Sequence, residues 1–315
     1  MVNLTKKGGF AKTQALCDSL FGFMVSLPRI SIVTPCFNSI TTIRDTIESV
    51  RTQDYPWGIE HIVMDGGSKD GTIELLREYP HLIWESEKDE GHYHAMNKGI
   101  ERATGDVVAV LNADDRYRSG ALRWVGEAFA KNPGWDGLFG DIVYVGAGDR
   151  EIYRREEAVY DFRTLLYSGI CYVIHPTLFV KKTIYERLGA FRYKDFLNSA
   201  DYEFILRLGQ KGCRIGHIPQ YLVTYRYHEH GQSADLRVTQ NMARENIRIR
   251  EEYGCAPGGL DRVRKIVWRA FRQVQKLLVR GKCDLFPATW TLRREMKPAT
   301  SFSSNIDFDR LEGKK

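Results

Sequence analysis

Four short apolar runs, each stopped by a polar tip and followed by helical spacing, constrain this chain more than any other feature. Ile30 to Thr34 stops at Pro35 and a turn at Asn38 and Ser39; Ile59 to Met64 stops at Asp65 and a Gly-rich turn. A third run, in HLIWES, leads into the loop EKDEG, and Val107 to Leu111 ends in Asn112, Asp114 and Asp115. Behind the tips, Ile43, Ile47 and Val50 recur at helical intervals, as do stretches from Thr72 to Glu78, through Ala95 and Ile100, and from Ala121 to Ala130. Continuous apolar runs suit strands buried on both faces, and strand–helix alternation predicts a mostly parallel central sheet flanked by helices. The loops at the carboxyl ends of such strands gather on one edge, where ligands bind. Asp65, Asp89 and the Asp114/Asp115 pair are therefore expected to meet there. Helix capping accounts for any one of these acids, but it does not require acids at successive strand ends.

Composition narrows the partners. A formal net charge of +6 and a sequence pI near 8.9 permit nucleotides, phospholipid head groups or nucleic acid. No recognised nucleic-acid-binding motif is present, so nucleic acid is not expected. The six cysteines form no CxxC pair and read as free thiols in a reducing compartment. No apolar run approaches the roughly 20 residues needed to cross a bilayer, and Asp18 interrupts the apolar patch of the N-terminal stretch. A cytoplasmic protein is expected. The chain divides into an N-terminal extension, 1–27, with one helix from Lys12 to Met24; an α/β domain, 28–235; and a basic, mainly helical C-terminal region, 236–315.

The ordered set TPCFN, DGGSKDGT, EKDEGHYHAMNKGI and LNADD resembles the nucleotide-binding half of family 2 glycosyltransferases with the GT-A fold. The resemblance covers about Pro28 to Ser233. It implies a Rossmann-like α/β domain that transfers a hexosyl or N-acetylhexosaminyl group from a nucleotide diphosphate sugar, most readily a UDP-sugar, with inversion at the anomeric carbon. Thr34, Pro35 and Asn38 match the loop against base and ribose. Asp65 matches the acid that accepts the pyrimidine imide proton; an Asx-turn beside Gly66 and Gly67 is the structural alternative. Asp70 matches a second acid or merely caps a helix, and Asp89, Lys98 and Arg226 are further donor-side candidates.

LNADD corresponds to the family's DxD element. Asn112, Ala113 and Asp114 then line the donor. Asp114, with Asp115 close behind, is expected to reach a Mn2+ or Mg2+ ion bridging the donor phosphates. Asn112 departs from the aspartate more often found there and brings no charge to the ion. His228 or His230, in YRYHEHGQS, would complete the metal shell or meet a phosphate. His175 and the GxF turn at Gly189 to Phe191 also match the family. Asp201, opening a helix, is the expected general base: inversion needs a carboxylate opposite the departing diphosphate. Glu203 is the rival, and an N-cap role is the structural alternative.

Other stretches carry weaker expectations. Asp141 reads as a turn residue, with a site acid as the alternative, and EIYRREEAVYDFRTLLYSG as a surface element flanking the acceptor groove. In RVRKIVWRAFRQVQKLLVRGK one helical face is apolar and the remainder basic. Two readings stand: a helix on an anionic membrane surface, peripheral at the inner face of the plasma membrane, or a helix packed on the catalytic domain with its basic side solvated. A saccharide or a lipid-linked saccharide is the expected acceptor. The alternative functions are a catalytically weak nucleotide-sugar binding module and a sugar nucleotidyltransferase, the latter disfavoured by the lack of a GxGxR loop; TPCFN in place of GxGxxG disfavours a dehydrogenase.

Overall fold

A computed structural model describes residues 26–227, 236–255 and 258–281. The N-terminal helix foreseen at Lys12 to Met24 lies outside them. The four apolar runs form β1 (Ile30–Cys36), β2 (Ile59–Asp65), β3 (Ile83–Ser86) and β4 (Val107–Val110). The helices behind them are α1 (Ile43–Arg51), α2 (Thr72–Arg77), α3 (His92–Arg102) and α4 (Ala121–Lys131). Beyond β5 (Arg116–Tyr117) come β6 (Gly137–Val145), β7 (Glu151–Arg155), α5 (Phe162–Ser168), β8 (Phe179–Lys181), α6 (Lys182–Leu188), α7 (Ala200–Gln210) and β9 (Ile215–Arg226). Two further helices, α8 (Leu236–Glu252) and α9 (Asp261–Arg280), complete the described chain.

The strands make one 9-stranded sheet in the order β3-β2-β1-β4-β8-β6-β9-β5, with β7 paired to β6. From β3 to β4 every pairing is parallel. The parallel sheet foreseen from the alternation is this half. Past β4 the sheet is mixed: β8 runs antiparallel to both neighbours, β6 runs parallel to β9, β5 pairs antiparallel with β9, and β7 pairs antiparallel with β6. The alternation breaks where β6 turns directly into β7, because a hairpin reverses direction and only a crossover restores it.

Strand periodicity divides the core. Ile30, Ile32, Val107 and Ala109 pack with Leu122 and Val125 of α4, whereas Val33, Val108 and Val110 pack with Met96 and Ile100 of α3. α3 lies close on the sheet through Gly99, where an added Cβ would stand 2.3 Å from Val33 Cγ1. That close approach fixes the start of α3 beside the tips of β1 and β2.

The C-terminal half corrects three expectations. Asp141 is no turn residue: it is buried within β6, with His217 Nε2 and the Glu157 amide each 2.9 Å from Oδ1 and Arg280 2.7 Å from Oδ2. The segment after it is not a surface element, since Leu165 and Leu166 of α5 join the core. Most unexpectedly, α9 packs with its charged face inward. Lys265, Arg272 and Lys276 are buried against the domain, Arg272 pairs with Glu157, and Val263, Ile266, Val267 and Leu278 are exposed. Buried acids explain the inversion, because Glu157 and Asp141 need cations and α9 supplies them.

Candidate functional site

Register brings the polar tips to one edge. Cys36 of β1 stands opposite Asp65 of β2, and Val33 opposite Val110 of β4. The tips after β2 and β4 therefore flank the Phe37–Asn38 turn, about 10 Å apart at the usual strand spacing.

Around this turn the residues divide into builders and exposed groups. Thr34 is buried with Oγ1 3.0 Å from His61 Nε2. Pro35 is buried as well. Asn38 adopts a left-handed φ of 49°, its N–H donating to Ser68 Oγ and its Oδ1 accepting from the Lys69 amide. Asp65 is fully buried: Oδ2 accepts from the amides of Gly67 and Ser68 and from Ser86 Oγ, and Oδ1 accepts from Ser68 Oγ. Burial alone would raise the Asp65 carboxyl, but these donors outweigh it and hold it below its ordinary value. The geometry is an Asx-turn that shapes the loop. Asp70 accepts from Ile40 N and from Thr72 N and Oγ1, tying the start of α2 to the same loop.

What this turn exposes is Phe37, with 62% of its surface accessible. Its ring and Asp89 Oδ2 flank Gly66, each 3.3 Å from where a Cβ would stand. Lys98 reaches across to Asp89 Oδ1 at 2.5 Å and to Glu87 at 2.7 Å. An aromatic face, a glycine and a carboxylate thus form a niche at the tip of β2. The sequence reading passed over Phe37; an aromatic at a polar strand end was the available signal.

After β4 the chain makes a tight turn. Asn112 Nδ2 donates to Asp115 Oδ2 at 2.9 Å, and the Arg226 amide donates to Asp115 Oδ1 at 3.1 Å. Asp115 is fully buried, and burial together with the negative charge of Asp114 pushes its carboxyl well above the ordinary range. An aspartate at 112 would add a third negative charge beside it; the amide donates instead. Ala113 is buried among Cys36, Ile43 and Val63. Only Asp114 of the pair is partly exposed. The Arg226 guanidinium pairs with Asp45 at 3.1 Å and with Asp149 at 3.5 Å.

Asp201 stands in the first turn of α7, where the N-cap is Ser199. Its Oδ1 accepts from Tyr93 Oη at 2.7 Å and from the Tyr202 amide at 2.8 Å. Among the described residues no donor reaches Oδ2. Tyr93 belongs to the first turn of α3, directly after the loop that carries Asp89, so this bond joins α7 to the niche. Asn97 reinforces it, exchanging two hydrogen bonds with the Phe191 backbone of the GxF turn. Burial lowers His92 to about 4 and lowers His175 as well, which leaves two neutral imidazoles near Asp201. Glu203, the rival base, is buried against Arg207 at 3.0 Å and accepts from Tyr253 Oη at 2.9 Å. Tyr93 and Asn97 were missed in the sequence, where their helical spacing marks them only as core.

For the divalent ion, the donor set is the test. Among the described residues no three His, Cys, Asp or Glu side chains converge on one point. At the tip of β4 one partly exposed carboxylate, Asp114, remains. Mg2+ and Mn2+ are commonly held by one or two carboxylates together with substrate phosphates, so Asp114 fits such an ion whereas the closed Asp115 does not add an open ligand. His228 and His230 lie outside the described residues.

Comparison with known proteins agrees with this architecture. Residues 31–190 match the family model Glycosyl transferase family 2. An uncharacterized glycosyltransferase of Mycobacterium tuberculosis (strain ATCC 25618 / H37Rv) is 34% identical over 187 residues, covering 58% of this chain and 70% of the relative. Among solved structures, S. aureus TarS 1-349 in complex with UDP-GlcNAc aligns with a TM-score of 0.55 at 16% identity, over 81% of this chain and 92% of that one. Mannosyltransferase PcManGT from Pyrobaculum calidifontis, in complex with GDP-Man and Mn2+, aligns with a TM-score of 0.56 at 18% identity, over 90% of each chain. At these identities the two structures speak for the GT-A fold alone. The match to the family model, over half of the chain and across every tip that builds the edge, makes this protein a member of glycosyl transferase family 2 and a glycosyltransferase.

Proposed function

We propose that the chain moves a sugar from a nucleoside diphosphate donor, with uridine as the nucleoside, to a hydroxyl of a saccharide or lipid-linked saccharide, inverting the anomeric carbon. The Tyr93–Asp201 bond is the observation that carries this reading. It orients one oxygen of a carboxylate and leaves the other without a donor among the described residues, at the junction of the two halves of the edge. Asp201 Oδ2 takes the proton of the attacking hydroxyl as the new glycosidic bond forms on the face opposite the departing diphosphate. Tyr93 holds the carboxylate in place, and the neutral imidazoles of His92 and His175 add no competing charge nearby. Phe37 offers its ring to the base, and Asp89 offers an acceptor beside it. Asp114 is the residue that would hold a divalent cation, which when bound would supply positive charge to the leaving diphosphate. The UDP-GlcNAc complex of TarS and the GDP-Man and Mn2+ complex of PcManGT support the donor class and the ion.

The test is Asp201→Asn. Donor binding, read as thermal stabilisation by UDP with Mn2+, is expected to persist while transfer falls about 10²- to 10⁴-fold, the range for a positioned acid or base. Transfer near the wild-type rate overturns the assignment.

A further inference from the structure

The outward face of α9 is the largest feature the transfer reaction leaves unused. Val263, Ile266, Val267, Phe271, Val274 and Leu278 recur at helical spacing along one side of this 20-residue helix, and all are exposed, Ile266 at 60% and Leu278 at 80%. The stripe is about 30 Å long and about 10 Å wide, roughly the scale at which a soluble surface stops being incidental. The helix is held in this orientation by ions. Arg272 pairs with buried Glu157, Arg280 with buried Asp141 at 2.7 Å, and Asp261 at the helix start with Arg250 of α8 at 2.7 Å. Turning the apolar side inward would take from Glu157 and Asp141 the arginines that face them and set hydrocarbon there instead, leaving only Arg155 and His217 beside two buried acids, and breaking buried ion pairs costs more than exposing valines. The stripe therefore faces outward as a fixed property of the fold.

We propose that this stripe is a docking surface for an anionic lipid bilayer. Two observations choose that occupant. The first is charge. From Arg262 to Cys283 the sequence holds no acid, and Arg262 and Arg269, exposed at i−4 and i+3 from Ile266, line one margin of the stripe. An apolar helix face bordered by cations is the pattern that settles into the head-group boundary of anionic membranes. The second is area. A stripe of about 300 Å² falls well short of the roughly 800 Å² per partner that a stable dimer buries, and a two-fold pairing would bring the same cationic margins together. A bilayer has no such minimum, because it receives one helix face at its own depth. The docking does not depend on Asp201 being the base, but it has a consequence for the site. α9 packs on α5, and the Leu165 carbonyl of α5 accepts from Tyr202 Oη of α7 at 2.9 Å. Through that stack, a docked α9 would set the acceptor side of the cleft at a fixed position relative to the bilayer.

The experiment is sedimentation of the full chain with vesicles of phosphatidylcholine containing phosphatidylglycerol, and with phosphatidylcholine alone. The chain is expected to sediment with the anionic vesicles and much less with the neutral ones. The double variant Val267→Glu/Val274→Glu is expected to lose at least about tenfold in binding, since two apolar contacts become charges at the boundary. Its melting temperature and its response to UDP should match the wild type, because both positions are exposed; a milder pair, Val267→Ser/Val274→Ser, serves if the glutamates disturb folding. A full chain that stays in the supernatant overturns the proposal, whether a second copy, revealed by a dimeric mass that the variant loses, or another part of the chain covers the stripe. Undiminished sedimentation of a folded variant also overturns it, and equal binding to neutral vesicles overturns the anionic preference.

Discussion

Tyr93 and Asp201, 108 positions apart, share a 2.7 Å hydrogen bond in which the phenol donates to the carboxylate. The phenol is buried and the carboxylate lies at a helix start, so the bond sets the carboxylate's direction. Tyr93→Phe removes one oxygen and keeps the ring against Phe191. Transfer turnover should fall about tenfold through loss of orientation, with the KM for donor little changed. Steady-state kinetics with donor and acceptor varied separately check this; a rise in donor KM alone contradicts it.

Phe37 is exposed and packs on no core, so Phe37→Ala should leave the melting temperature unchanged. Loss of a stacking face costs about 1–3 kcal/mol per base, so UDP affinity should weaken roughly 5- to 150-fold. Calorimetric titration of UDP reads this directly.

Asp114 and Asp115 should separate cleanly. Asp114→Ala is expected to remove the additional stabilisation that Mn2+ gives in the presence of UDP, with little effect on the apo protein. Asp115→Ala leaves the Arg226 amide and the Asn112 amide group without their acceptor, and each buried unsatisfied group costs about 1–3 kcal/mol. That variant should melt lower even without ligand. Thermal unfolding of both variants, with and without Mn2+ and UDP, makes the distinction.

His61 gives the fold a defined acid sensitivity. Burial lowers it from 6.5 to about 3, so the folded chain holds it neutral while the unfolded chain protonates it below pH 6.5. Its contribution is complete above 6.5 and is lost progressively as pH falls towards 3, at about 1.4 kcal/mol per pH unit. Urea unfolding at pH 7, 6 and 5 should show a decline that His61→Gln reduces.

The inverted packing of α9 makes opposite demands on its two faces. Arg272→Ala removes one of the cations around buried Glu157, leaving Arg155 and Lys276, and should destabilise by about 1–3 kcal/mol. Val267→Ser, on the exposed side, should change stability by less than about 0.5 kcal/mol. Chemical denaturation of the two variants compares them.

The first half of the sheet was legible because each element carried its own signal. Apolar runs, stop residues and helical spacing between Ile30 and Ala130 agree with local physics, so β1 to β4 and α1 to α4 follow from short windows of sequence. Past Asp136 the determinants are long-range. Nothing near Asp141 announces that Arg280 will neutralise it, and without that pairing α9 reads as an ordinary amphipathic helix with its apolar side inward. The site divides the same way. That Asp65, Asp89 and Asp114 meet at one edge follows from strand order, whereas the closure of Asp65 by Ser68 and Ser86 depends on rotamers. Tyr93 eluded the reading because a buried tyrosine on a helix looks the same in sequence whether or not its hydroxyl meets a carboxylate.

The ion pairs beneath α9 also limit how it can move. Arg272 at mid-length and Arg280 at the last turn each close over an acid inside the domain, and Arg250 of α8 closes over Asp261 at the helix start, so lifting either end breaks a buried ion pair. The helix behaves as a keel bolted to the hull, not as a hinged arm. Whatever surface meets it must accommodate the whole catalytic body, at one tilt.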